Sequence, residues 1–160
     1  RLVGLGMAGQ GFGRAPGFRR LPDSLDPLVE FVFDGIPYEE TIGDFGLNLG
    51  GAGGFEFDRI DRTEGTPSGT LLLASTVEVP SSFFRAMEHG VGRGHADPLV
   101  RADMVYLDRG PGSVFGVGSI TWTGSLSHND YKNNVAQIST NVLNEFVRRG
   151  PPTLSDELDS

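Results

Sequence analysis

The sequence predicts an α/β domain, and three stretches carry that prediction. Phe55-Glu-Phe-Asp-Arg-Ile60 alternates apolar and polar residues at the period of a half-buried strand. Thr70-Leu-Leu-Leu-Ala74 is an unbroken apolar run after Gly65-Thr-Pro-Ser-Gly69, as in a strand covered on both faces. Between Lys132 and Arg149, residues Val135, Ile138, Val142, Leu143 and Phe146 fall at i, i+3, i+7, i+8 and i+11. That spacing makes one apolar stripe along a packing helix.

The other elements follow in chain order. Residues 1 to 27 carry so many Gly and Pro residues that they leave little room for a regular element longer than one strand. Leu28-Val-Glu-Phe-Val-Phe33 is β-branched and aromatic, which reads as a strand ending at Asp34-Gly35. Glu39, Glu40 and Thr41 are expected to begin a helical turn. Ser81 or Ser82 is expected to cap a short helix from Phe83 to His89, closed by Gly90. Ala102 to Asp108 and Ser113 to Ile120 read as strands joined by Arg109-Gly-Pro-Gly112, an antiparallel hairpin. Asn129 or Asp130 can cap the last helix, and Gly150-Pro-Pro152 stops it. The expected organisation is one domain over residues 1–150 and an acidic disordered tail over 151–160.

Composition narrows the class. A length of 160 residues suits a single domain, and 24 Gly residues without a repeating period suit a loop-rich one. The net charge of −8, with the basic residues scattered, argues against nucleic acid or an acidic lipid surface as partner. The absence of Cys excludes a disulfide framework, a thiolate zinc site and a cysteine nucleophile. No apolar run approaches the roughly 20 residues of a membrane span, and there is no signal-peptide plan, so a cytoplasmic location is expected. The start at Arg1, without Met, reads as that of a fragment or a trimmed product.

Gly50-Gly-Ala-Gly-Gly54 is the feature closest to a ligand motif. A phosphate loop needs a following helix N-terminus, and a strand pattern follows here, so a close-packed turn is the leading reading. The glycines can also let backbone approach a ligand. Glu56 and Asp58 share the face opposite Phe55 and Phe57, about 7 Å apart. They are either a solvated pair or carboxylates placed where α/β enzymes put reacting groups. Arg59 and Arg62 either hold Asp58 or Asp61 ionised or form weak surface pairs.

His89, His95 and His128 have no metal-ligand spacing. Ser119 and Ser125 lack a nucleophile elbow. Trp122 is read first as core and second as a pocket wall.

Longer strings carry more. Pro22-Asp-Ser-Leu-Asp-Pro27, Phe31-Val-Phe-Asp-Gly-Ile36, Ile42-Gly-Asp-Phe-Gly-Leu47 and Gly51 to Arg59 are joined by Gly65-Thr-Pro67 and Leu73-Ala-Ser75. Ala102-Asp-Met-Val105, Val114 to Leu126 and Asn133 to Phe146 complete the set. Together they resemble the C-terminal region of the large, or beta, subunit of N,N-dimethylformamidase. The resemblance implies the C-terminal portion of a glutamine-amidotransferase-like, Rossmann-like α/β domain, with a mixed sheet, a β-hairpin and a C-terminal packing helix. It implies hydrolysis of a small N-substituted formamide to formate and an amine, a mononuclear iron (Fe) held by two tyrosines and a glutamate, and metal-activated water.

Glu56, in the FEFDR string, matches that glutamate, with Asp58 or Arg59 beside it. Tyr38, Tyr106 and Tyr131 match no ligand position, so both tyrosine ligands are expected upstream of Arg1 and this chain alone is expected to be inactive. A small subunit and a homo-oligomer are the partners implied. The alternative is a non-catalytic member whose scaffold binds a small ligand or packs in an oligomer.

Overall fold

A computed structural model describes residues 3–86, 93–110 and 112–150. The architecture is α/β-like: two small sheets and a few helices share one apolar core. The first sheet has three strands, β1 (Gly6–Gly11), β3 (Phe55–Arg59) and β5 (Phe83–Arg85), with β1 in the middle. The second is ordered β2 (Phe18–Arg20), β4 (Leu71–Thr76), β6 (Asp103–Asp108) and β7 (Ser113–Gly116). Every pairing among these strands is antiparallel.

β4 is a central strand, as its apolar run predicts, with Leu73 and Ala74 fully buried. β6 and β7 form the expected hairpin, with β7 ending at Gly116 and not at Ile120, and the Arg109 N–H closes it by donating to the Gly112 carbonyl at 2.8 Å. As its glycines and prolines suggest, the described part of the N-terminal stretch holds only short elements: β1, β2 and a 3₁₀ turn at Pro22–Leu25. A short helix, α1 (Trp122–Ser125), precedes the long helix α2 (Asn134–Arg149).

The apolar stripe of α2 is mostly borne out. Val135, Ile138 and Val142 are buried and Phe146 is partly so, but Leu143 is 64% exposed. Its cap is Asn133, whose side chain accepts from the Ala136 N–H at 2.9 Å, not Asn129 or Asp130. Those two lie in left-handed backbone, at φ 51 and 52, in the turn that leads to the cap.

Three local expectations are corrected. Residues Pro27–Phe33 form a 3₁₀ helix, not a strand. Asp26 accepts from the Leu28 N–H at 2.9 Å, and Pro27 stands at the first helical position, where its missing donor is harmless. Val29, Val32 and Phe33 then bury one face at helical spacing. Capping and tertiary burial outweigh the β propensity of the run.

Residues Phe83–Arg85 are a strand on β1, not the start of a helix. Phe83 pairs with Gly11 of β1 and stacks on Phe57 with centroids 4.6 Å apart. The expected helix end at His89 and Gly90 lies outside the described residues, as does the expected tail. Glu39 and Glu40 sit in a simple turn, closed by the Glu40 N–H donating to the Pro37 carbonyl at 3.2 Å.

The core runs between the sheets and beneath α2 through Phe18, Phe57, Phe83, Leu73, Met104 and Ile138. Trp122 belongs to it, edge-on to Phe18 with centroids 6.0 Å apart. α2 packs on the 3₁₀ helix, where the Asn141 side-chain amide donates to the carbonyls of Val32 (3.2 Å) and Asp34 (3.0 Å).

Candidate functional site

The segment from Gly43 to Gly54 is a close-packed turn that feeds β3. A Cβ on Gly51 would stand 2.1 Å from the Ala15 carbonyl oxygen, so no other residue fits there without moving backbone. A strand follows, and the helix N-terminus that a phosphate loop requires is absent from this turn. The phosphate reading is set aside on that ground.

β3 sorts its side chains sharply. Glu56 is exposed, opposite Gln10 of β1, and no hydrogen bond or ion pair holds its carboxylate among the described residues. Phe57 is fully buried, and Asp58 is half-buried opposite Met7, its N–H donating to the Gly118 carbonyl at 2.8 Å. Arg59 is only 4% exposed. Its guanidinium donates to Asp61 at 2.8 Å and to the Ile60 carbonyl at 3.0 Å. The pairing left open by the sequence therefore falls to Asp61, while Arg62 turns to the carbonyls of Pro67, Ser68 and Thr70. The Asp61 carboxyl is lowered to about 2, first by the Thr63 hydroxyl and then by Arg59.

Phe55 departs from the expected inward position. It is half-buried and lies edge-on to Phe12, with centroids 5.7 Å apart. Its φ of 60 is left-handed. A bulky residue there costs about 1–3 kcal/mol, which the surrounding contacts must offset. The residue immediately before Glu56 is thus the strained joint of the strand.

Two residues that hold this region were not singled out for that role by sequence. Asp103 is fully buried at the far end of β3. It accepts from the Ile60 N–H at 3.0 Å, from the Ser75 hydroxyl and from Arg101 at 2.9 and 3.1 Å. The available signal is Arg101 two residues before Asp103, a spacing that places both on one face of a strand. Ser119 accepts from the Gly54 N–H at 2.7 Å and donates to the Gly54 carbonyl at 3.1 Å. Ser125 donates to the Phe45 carbonyl at 2.8 Å. Both hydroxyls serve the backbone, and His128 stacks on Phe45, centroids 4.2 Å apart.

A cleft of about 280 Å³ opens beside the turn, lined by Arg14, Arg19, Thr41, Asp44 and Glu78; Glu56 does not line it. Tyr106 is buried, its hydroxyl between Ser113 (2.9 Å) and Arg149 (2.8 Å). No group of three His, Cys, Asp or Glu side chains that could hold a metal ion occurs among the described residues. Among them, too, no helix is long and apolar enough to cross a membrane.

Fold and site define an α/β-like domain in which an exposed carboxylate, Glu56, follows a close-packed glycine turn. Residues 1–134 match the family described as N,N-dimethylformamidase beta subunit-like, C-terminal, and the chain belongs to that family. It is 45% identical over 159 residues to an N,N-dimethylformamidase beta subunit from Alcaligenes sp., across 94% of this chain and 21% of the relative. It is 42% identical over 162 residues to the beta subunit from Paracoccus aminophilus, across 96% of this chain and 21% of that relative. The chain thus spans about a fifth of the length of these curated relatives.

Proposed function

We propose that this chain is part of a formamidase-like hydrolase that cleaves a small N-substituted amide, and that Glu56 is one ligand of a mononuclear iron. The observation that supports this reading most is the contrast along β3. Glu56 projects from the strand with its carboxylate uncommitted, whereas Arg59 is buried and paired with Asp61.

A hard anionic oxygen suits ferric iron, so the donor fits the group. The other ligands in this reading are tyrosines of the longer polypeptide. Bound iron supplies Lewis acidity to the amide carbonyl and lowers the pKa of a water.

The chain's own residues do the positioning. Arg59, through Asp61, fixes the exit of β3, Asp58 ties the strand to Gly118, and the turn before Phe55 fixes its entry. The same reading takes the domain as the C-terminal portion of a glutamine-amidotransferase-like fold. It adds a small subunit and a second copy as partners, in the cytoplasm.

Metal analysis of the complete polypeptide tests this directly. Wild type is expected to carry iron and Glu56→Ala to lose it. Iron-free wild type, or a variant with a full complement, would sink the assignment.

A further inference from the structure

The entry to β3 carries a device that strand formation does not require. The Ser119 hydroxyl engages both backbone polar groups of Gly54, accepting at 2.7 Å and donating at 3.1 Å, and the Thr121 hydroxyl lies 3.3 Å from it. The Gly54 carbonyl belongs to the peptide plane that precedes Phe55, so fixing it fixes one side of the Phe55 φ torsion. The other side is fixed by β3 itself. Phe57 bridges to Ser119, and the Asp58 N–H donates to Gly118. Gly118 runs so close that a Cβ on it would stand 2.4 Å from the Asp58 carbonyl oxygen. Held from both sides, Phe55 keeps its φ of 60, and Glu56 leaves the joint in one direction.

We infer that Ser119 is a positioning residue: its hydroxyl pins the Gly54–Phe55 peptide plane and thereby aims the Glu56 carboxylate. A single hydroxyl can do this because it is a donor and an acceptor at once. The functional consequence rests on the metal-ligand reading of Glu56, whereas the clamp does not.

The test separates the two. In the metal-free chain, amide exchange at Gly54 and carbon shifts at Phe55 are compared for wild type, Ser119→Ala and Ser119→Thr. Ser119→Ala is expected to speed Gly54 exchange by about tenfold and to move the Phe55 shifts out of the left-handed range. The threonine variant keeps the hydroxyl and restores both, while exchange in α2 stays constant in all three. Unchanged exchange and shifts in Ser119→Ala overturn the clamp.

In the complete polypeptide, chelator competition is expected to show iron held about tenfold more weakly by Ser119→Ala and normally by Ser119→Thr. Wild-type affinity in Ser119→Ala, with binding abolished in Glu56→Ala, overturns the positioning role. Iron retained by Glu56→Ala overturns the metal-ligand reading instead, and exchange alone then decides the clamp.

Discussion

The indole N–H of Trp122 donates to the Ser139 hydroxyl at 3.1 Å, and that hydroxyl donates in turn to the Val135 carbonyl at 2.8 Å. The bond joins α1 to the inner face of α2 and gives a core indole the acceptor that burial demands. Trp122 is 5% exposed, so water is a poor substitute for Ser139.

Ser139→Ala is therefore expected to destabilise the chain by about 1–2 kcal/mol, the cost of a buried donor left without a partner. Guanidinium unfolding followed by fluorescence measures this cleanly, because Trp122 is the only Trp. A midpoint equal to wild type would show that the indole finds another acceptor.

Where sequence and structure agree, the determinants are local. β3, β4, the β6–β7 hairpin and α2 each announce themselves by a period or a turn within a few residues. Residues 27 to 33 mislead because β-branched and aromatic residues suggest a strand. The better clues were Asp26-Pro27 as a helix start and the i, i+3, i+4 spacing of Val29, Val32 and Phe33. β5 could not be read locally, since it pairs with β1 and Phe83 stacks on Phe57, both distant in sequence. The site divides the same way. The tight turn and the exposed carboxylate at Glu56 follow from neighbouring residues. The Ser119 clamp depends on a partner 65 residues away that no local pattern encodes, and of the Asp103 hub only the Arg101 pair is local, its Ile60 partner lying 43 residues away.

The α2 stripe yields a paired prediction. Ile138 is fully buried, whereas Leu143 is 64% exposed despite sharing the apolar pattern. Ile138→Ala is expected to cost about 3 kcal/mol through lost burial and a residual cavity. Leu143→Ala is expected to stay within about 0.5 kcal/mol of wild type. Urea midpoints for the two variants check this, and a large loss at Leu143 would mean that its face is covered in solution.

Asp103 is the buried anion on which β3, β4 and Arg101 converge. Asp103→Ala strips the counter-charge from a guanidinium that is 23% exposed and leaves the Ile60 N–H without its acceptor. The expected loss is about 3 kcal/mol. Asp103→Asn keeps an acceptor but not the charge and should lose less. Equal losses in the two variants, by chemical denaturation, would show that charge is irrelevant at this position.

Asp61 gives the acid limb of stability a specific contributor. Its folded pKa is about 2 against an ordinary 3.8, with the Thr63 hydroxyl first among the causes and Arg59 next. The folded state therefore holds its proton less tightly than the unfolded state does. The stabilisation this provides is complete above about pH 4 and is lost as pH falls through about 2. Asp61→Asn should flatten the stability curve in that window while leaving its slope near neutrality unchanged. Thr63→Val should raise the Asp61 pKa toward 3.8, read from its carboxyl carbon shift on titration. Asp97 and Glu145 are also depressed, by Arg85 and by Arg148 respectively, so the acid limb persists in part in both variants. An Asp61 titration unchanged in Thr63→Val would assign the shift to Arg59 and the Thr63 backbone N–H, and Arg59→Lys would then be the variant that moves it.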